Sequence, residues 1–239
     1  MNAAAPSART AAIVPAAGRG ERLGPGAPKA LRTLAGQPML LHAVRALAAA
    51  RSIDLVVVAA PEDGVDEARS ILAGLDTEAE IVIVSGGETR QDSVARALLA
   101  LPADVDVVLV HDAARPLVPP DVVDRVSAAV RGGHDAVIPT LGVVDTIKEV
   151  DDGVVVGTLD RSRVHAVQTP QGFARAVLQR AHASSEGSDA TDDAGLVERM
   201  GVMVHTVAGD EEAFKITRPL DLVLAEAILV RRRASGGVV

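Results

Sequence analysis

From Pro15 to Arg32 the chain reads Pro-Ala-Ala-Gly-Arg-Gly-Glu-Arg-Leu-Gly-Pro-Gly-Ala-Pro-Lys-Ala-Leu-Arg. Glycines and alanines without bulky side chains let backbone N–H groups close around an anion, as a phosphate-binding loop requires. Arg19, Arg22, Lys29 and Arg32 meet a single acid, Glu21, within a chain of net charge -8. Local positive charge on an acidic background points to a polyphosphate or sugar-phosphate ligand. A second reactive position is Asp112, beside His111, directly after the β-branched run Val105–Val110. A carboxylate at the end of such a strand can hold Mg²⁺ together with phosphate and water. It can equally cap a helix or pair with Arg115.

Several alternative chemistries fail on residue type. Gly18-Arg19-Gly20 opens a dinucleotide fingerprint, but Leu23 stands where its third glycine belongs, and two prolines follow where a helix should start. No G-x-x-x-x-G-K-[ST] string occurs. The absence of cysteine removes disulfides and thiolate sites, and no paired His cluster favours zinc. Phe173 and Phe214 are the only aromatics besides histidine, so a base-stacking surface is not expected, and the acidic balance disfavours nucleic acid and anionic lipid. No apolar run reaches the roughly 18–20 residues of a membrane span. The small-residue start, Met1 to Ala12, lacks the basic-then-apolar pattern of a signal peptide and reads as a loose tail before a strand. These features predict a soluble, cytoplasmic protein.

The elements that must carry these residues follow from periodicity. Of the 239 residues, 48% are hydrophobic and 23% charged, an ordinary composition for a folded domain. Short β-branched runs alternate with helical patterns: strands at Ala11–Pro15, Ile53–Ala60, Glu80–Ser85, Val105–Val110 and Val202–Val207, and helices near 37–51, 62–73, 88–101, from 119, 173–184, from 191, and 219–232. Such alternation predicts an α/β protein, a Rossmann-like, mostly parallel sheet flanked by helices. One domain is expected over residues 10–233. Around 142–164 the rhythm breaks: Val143–Val150 and Val154–Leu159 flank the turn signal Asp151-Asp152-Gly153, which predicts a protruding antiparallel β-hairpin arm. An apolar arm with open edges is expected to be covered, either by its own domain or, the favoured reading, by a second copy of the chain.

The string Pro15–Leu23 with Pro28-Lys29 resembles the signature of nucleotidyltransferases that activate sugar or polyol phosphates. Further segments narrow the likeness: Gly86–Val94, His111–Pro116, Asp145–Lys148, Arg161 with Gln168–Gln171, Thr191–Ala194 and Lys215–Thr217. In this order they resemble the 2-C-methyl-D-erythritol 4-phosphate cytidylyltransferase family of the non-mevalonate isoprenoid pathway. The alternative is a cytidylyltransferase for ribitol 5-phosphate or another polyol phosphate. The resemblance implies transfer of a cytidylyl group from CTP to the polyol phosphate with release of pyrophosphate, Mg²⁺ as cofactor, and a homodimer joined through the arm. It implies catalytic roles for Arg22, Lys29, Arg161 and Lys215, and nucleotide contacts from Pro15, Ala16, Ala17, Gly18, Gly87 and Ser93. Substrate contacts would come from Asp112, Arg115, Thr146, Arg161, Thr169, Thr191 and Lys215, and metal binding from Asp112. Read without the resemblance, Gly86-Gly87 suits any strand-to-helix turn, and Thr191 suits a helix cap. His111 reads as structural. Ala213-Phe214 stands where the family carries a polar and an aliphatic residue, so no polar side-chain role is expected at position 213; Arg218, where a neutral residue is common, has no explanation.

Overall fold

The computed structural model describes residues 9–18, 29–184 and 191–235. In chain order the strands and helices are β1 (Arg9–Pro15), β2 (Thr33–Leu34), β3 (Gln37–Pro38), α1 (Met39–Ala48), β4 (Leu55–Ala60), α2 (Val65–Leu72), β5 (Glu80–Ser85), α3 (Arg90–Leu99), β6 (Val105–Val110), α4 (Pro120–Arg131) and β7 (Ala136–Gly142). There follow β8 (Lys148–Asp151), β9 (Val154–Thr158), β10 (His165–Val167), β11 (Gln171–Ala174), α5 (Arg175–Ala183), α6 (Asp193–Arg199), β12 (Val204–Ala208) and α7 (Pro219–Ala234).

β5, β4, β1 and β6 lie side by side and parallel; β11 then runs antiparallel between β6 and β7, and β12 closes the far side parallel to β7. The α/β, mostly parallel sheet is as expected. Its period of two divides the apolar residues cleanly between two covering layers. Ala12, Val14, Val56, Val58, Val107 and Leu109 face α1, α2 and α4. Ala11, Ile13, Leu55, Val57, Val108 and Val110 face α3, α5 and α6. A smaller cluster of Leu34, Met39, Leu117, Ile216, Ala225 and Leu229 seats α7. Because β4 and β6 lie on opposite sides of β1, the chain reverses its winding beside β1, and a crevice opens at the carboxyl ends of β1 and β6. Open α/β sheets bind ligands at such reversals.

The hairpin β8–β9 forms as anticipated, with a loop whose two residues, Asp152 (φ 43°) and Gly153 (φ 80°), are left-handed as a type I′ turn demands. Its pairing is shorter than expected, since Val143–Ile147 joins no strand. Val150, Val154, Val155 and Val156 are all more than half exposed, so the arm does not fold back on its own domain.

Three expectations change. The helix predicted from Phe173 begins at Arg175, because Gln171–Ala174 is a strand: a Cβ at Gly172 would lie 2.6 Å from Val126 Cγ1, so this backbone presses on α4 while Phe173 fills the opposite layer. The helix expected from residue 37 starts at Met39, because Thr33–Leu34 and Gln37–Pro38 pair as a small hairpin across left-handed Ala35 and Gly36. The last predicted helix but one is capped by Asp192, whose carboxylate accepts from Gly195 N, and not by Thr191.

Candidate active site

The crevice holds two adjoining hollows. One, of about 220 Å³, is lined by Pro15, Ala16, Ala17, Gly18, Ala30, Arg90, Ser93, Asp112, Ala113, Ala114 and Lys215. The other, of about 190 Å³, adds Arg115, Thr169, Gln171 and Thr191. Arg90, Asp112 and Lys215 belong to both and form the wall between them.

The first hollow is built from strand ends. Ala16 N donates to Ala59 O (2.8 Å), and Gly86 N donates to Ala60 O (2.7 Å), so the β1 and β5 exits are tied to β4. Thr89 and Asp92 form a reciprocal capping box at the start of α3, which places Arg90 and Ser93 in its first turn. Ser93 donates to Thr89 O (2.9 Å) and accepts from Gly87 N (3.1 Å). A Cβ on Gly86 would sit 2.8 Å from Ser93 Oγ, and one on Gly87 would sit 2.2 Å from Asp92 Cβ, so this turn closes only with two glycines. Arg22 lies outside the described residues; Lys29 opens a short 3-10 turn, Lys29–Leu31, whose Ala30 lines the hollow.

Asp112 is the centre of the wall. Its Oδ1 accepts from Arg90 Nε (3.2 Å) and its Oδ2 from Lys215 Nζ (2.7 Å). Burial alone would raise its pKa, but the charges of Arg90 and Lys215 outweigh it and hold the carboxyl well below the usual range. It is therefore an ionised carboxylate, and the pairing with Arg115 considered from sequence does not form. Arg115 instead donates to Ala213 O (2.7 Å) and Val167 O (3.1 Å), tying the β6 exit to the segment that carries Lys215. Ile216 N donates to Ala114 O (2.8 Å) and completes that tie.

His111 is fully buried, and burial pushes its pKa down to about 4, so the ring is neutral. With Nε2 donating to Arg115 O (3.1 Å), Nδ1 must accept from the Thr169 hydroxyl (3.0 Å), which in turn accepts from Asp112 N (3.1 Å). Every partner is used, so His111 is structural as expected, and the Thr169 proton is committed inside the protein. Thr191 lines the second hollow. Thr146 and Arg161 line neither; Arg161 sits at the base of the arm and donates to Val144 O (3.0 Å).

Sequence reasoning counted Arg90, Asp193 and Gln171 within the segments that carry the resemblance but gave them no role. Arg90 bridges Asp112 and Asp193, the latter through Nη1 and Oδ2 at 2.6 Å. Gln171 donates to Asp192 Oδ2 (2.7 Å) and accepts from Ala194 N (3.1 Å), fixing α6 against β11. The signal for Arg90 was its place in the first turn after Gly86-Gly87; for Asp193, two consecutive acids at a helix start that needs one cap.

Among the described residues no group of three or more His, Cys, Asp or Glu is placed to hold a metal. Asp112 alone still suits Mg²⁺: it is ionised, and each oxygen keeps a lone pair beyond its one ion-pair partner. A single carboxylate plus phosphate and water is the hard-oxygen set this ion takes in nucleotide sites. Among the described residues no helix is long and apolar enough to cross a membrane.

A crevice where the sheet reverses, with open backbone at the β1 exit and the Arg90, Asp112 and Lys215 wall between two hollows, suits a nucleotidyltransferase. Residues 10–231 match the family model described as 2-C-methyl-D-erythritol 4-phosphate cytidylyltransferase, IspD, and the chain belongs to that family. It is similar to the protein of that name from Streptomyces coelicolor, 58% identical over 239 residues, covering 96% of this chain and 88% of the relative. The Rhodococcus jostii protein of the same name is 53% identical, covering 91% and 94%. Among solved structures, 4-diphosphocytidyl-2C-methyl-D-erythritol synthase from Anaerococcus prevotii matches with a TM-score of 0.81 at 29% identity, over 93% of this chain and 96% of that one. The Thermus thermophilus 2-C-methyl-D-erythritol 4-phosphate cytidylyltransferase matches with a TM-score of 0.74 at 38% identity, over 92% and 98%.

Proposed function

We propose that this chain transfers the cytidylyl group of CTP to 2-C-methyl-D-erythritol 4-phosphate, giving 4-diphosphocytidyl-2-C-methyl-D-erythritol and pyrophosphate. The observation that carries the reading is the pair of hollows sharing one charged wall, because two anionic reactants must meet there. CTP occupies the first hollow, with its triphosphate against Pro15–Gly18, Arg22 and Lys29 and its base beside Gly87 and Ser93. The acceptor occupies the second, against Arg115, Thr169, Thr191 and Lys215.

An acceptor phosphate oxygen attacks the α-phosphorus in line; the new P–O bond forms as the α–β bridging bond breaks, and its electron pair leaves with pyrophosphate. The attacking oxygen is already anionic, so no residue need take its proton, and catalysis consists of positioning and charge neutralisation. Lys215, held by Asp112, neutralises the acceptor phosphate as it approaches the nucleotide. Lys29 and Arg22 meet the charge that builds on the triphosphate. Mg²⁺, held by Asp112, supplies further neutralisation of the phosphate oxygens when bound.

Thr146 and Arg161 line neither hollow of their own chain, and on this reading they serve the site of a second copy, so that the enzyme works as a homodimer with shared sites. The exposed valines of the hairpin are the surface this contact covers. The reading assigns the enzyme to the cytoplasm, where CTP is at hand. The test is pyrophosphate release from CTP, UTP, ATP and GTP with each of methylerythritol phosphate and ribitol 5-phosphate. Turnover is expected with CTP and methylerythritol phosphate; turnover confined to ribitol 5-phosphate, or none with CTP, overturns the reading.

A further inference from the structure

Five charged or titratable side chains run in single file from the substrate hollows into the protein: Lys215, Asp112, Arg90, Asp193 and His182. The outer three form the wall described above; the inner two touch neither hollow. Asp193 is 1% exposed. Its Oδ2 accepts from Arg90 Nη1 (2.6 Å), and its Oδ1 accepts from His182 Nε2 (2.9 Å) on α5. Both oxygens therefore turn away from α6, whose N-terminus is already capped by Asp192. Helix capping does not explain Asp193, and an ion pair this deep is poor grounds for a stabilising role. Burial opposes its charge, yet His182 and Arg90 keep its pKa below the ordinary carboxylate value.

Its geometry toward Arg90 supplies a reason. Guanidinium is a flat, rigid fork, and here its nitrogens are divided between two carboxylates: Nε to Asp112 and Nη1 to Asp193. The division leaves Asp112 Oδ2 to Lys215. Without an anion at position 193, the fork is free to turn and present two nitrogens to Asp112, the bidentate arrangement that carboxylates favour. Oδ2 is then contested, and Lys215 loses its fixed bearing.

We propose that Asp193, seated by His182, is a positioning residue that acts through Arg90 to hold the Asp112 carboxylate in single-point contact and thereby to aim Lys215 across the two hollows. The role of Lys215 in turnover rests on the cytidylyltransferase reading; the aiming of its ammonium does not.

A distinctive kinetic signature follows. Asp193→Asn removes one negative charge beside the hollows, so anionic substrates are attracted no less than before while Lys215 is misaligned. We expect kcat to fall about tenfold with KM for both substrates unchanged or lower. In an Arg90→Lys background, where no fork remains to be divided, Asp193→Asn is expected to cost less than about twofold more. Wild-type kcat in the folded variant, KM rising along with the loss, or full additivity with Arg90→Lys each overturns the proposal. If Asp193→Asn does not fold, His182→Leu replaces it, with kcat about threefold lower and KM unchanged; an unchanged kcat there overturns it. A substrate-free reading separates the two claims. The Lys215 ammonium cross-peak in ¹H–¹⁵N spectra should be visible in the wild type and lost to exchange in Asp193→Asn. If the wild type makes no product but this difference is seen, the activity reading fails and the positioning stands; identical cross-peaks in the two proteins overturn the positioning.

Discussion

Asp112 and His111 are neighbours on one strand end, yet their environments drive them to opposite charge states. Asp112 stays ionised between Arg90 and Lys215, and His111 stays neutral because burial disfavours its cation. The His111 pKa is about 4 in the fold against 6.5 unfolded, so the unfolded chain takes up the proton first. The stability gained from keeping this ring neutral is complete above about pH 6.5 and drains away as pH falls toward 4, by about 3 kcal/mol in total. Urea unfolding between pH 7.5 and 4.5 should show that decline. His111→Asn should start less stable and lose less with acid, while His42, also held below its usual pKa by burial, keeps part of the slope. A slope unchanged by the substitution would remove His111 as its source. At this scale the sequence was informative where a residue type is chemically constrained: Pro15–Gly18, Ser93, Asp112 and Lys215 could be named from motif order, and all line the first hollow. Arg90 was given no role because its place in the first turn after Gly86-Gly87 does not show which carboxylates it meets. Its meaning comes from Asp112 and Asp193, 22 and 103 residues further along the chain.

The strands and helices act as mounts for these groups. β1, β5 and β6 end at one edge, and each delivers a different part: the glycine-lined turn, the Gly86-Gly87 turn with Arg90, and Asp112. Continuous apolar runs such as Leu55–Ala60 were legible because a strand covered on both faces has no polar side to offer. β11 was not. Four residues, Gln171–Ala174, are too few to show a period, and what makes them a strand is their ladder with β6 and β7, a tertiary fact, with Gly172 allowing the close approach of α4. The arm was readable from its turn between two apolar runs, since Asp152 and Gly153 adopt the left-handed backbone that their types permit. An isolated two-stranded hairpin is at best marginally stable in water, which suits an element completed by a partner. If Arg161 crosses to the other subunit's site while Lys215 stays at home, two inactive variants should complement. Mixing Arg161→Ala with Lys215→Ala and allowing subunit exchange should restore about a quarter of wild-type activity, from the heterodimer's one intact site. No recovery, with exchange shown by mass, would place both residues in the same subunit's site or neither.

At the scale of the whole molecule, an acidic chain handles two anionic substrates by concentrating its positive charge where the sheet reverses its winding. The chain as a whole carries a net charge of -8, while Lys215, Arg90 and Arg115 gather at one crevice. Fold class followed from the alternation of strand and helix patterns, and Asp112 could be placed at a strand's carboxyl end, but the reversal beside β1 that opens the crevice shows only in the strand order. That the crevice divides into two hollows with a common wall was not readable, because β6, α3 and the segment before α7 meet there only in three dimensions. The central claim is that this wall brings the nucleotide and the polyol phosphate face to face. A crystal structure with CTP and methylerythritol phosphate, using Lys29→Ala to slow turnover, tests it most directly. The account predicts the triphosphate along Pro15–Gly18, cytosine beside Gly87 and Ser93, and the acceptor phosphate within hydrogen-bond reach of Lys215 Nζ. Nucleotide bound away from the β1 turn, or an acceptor on the far side of the sheet from Lys215, would contradict it.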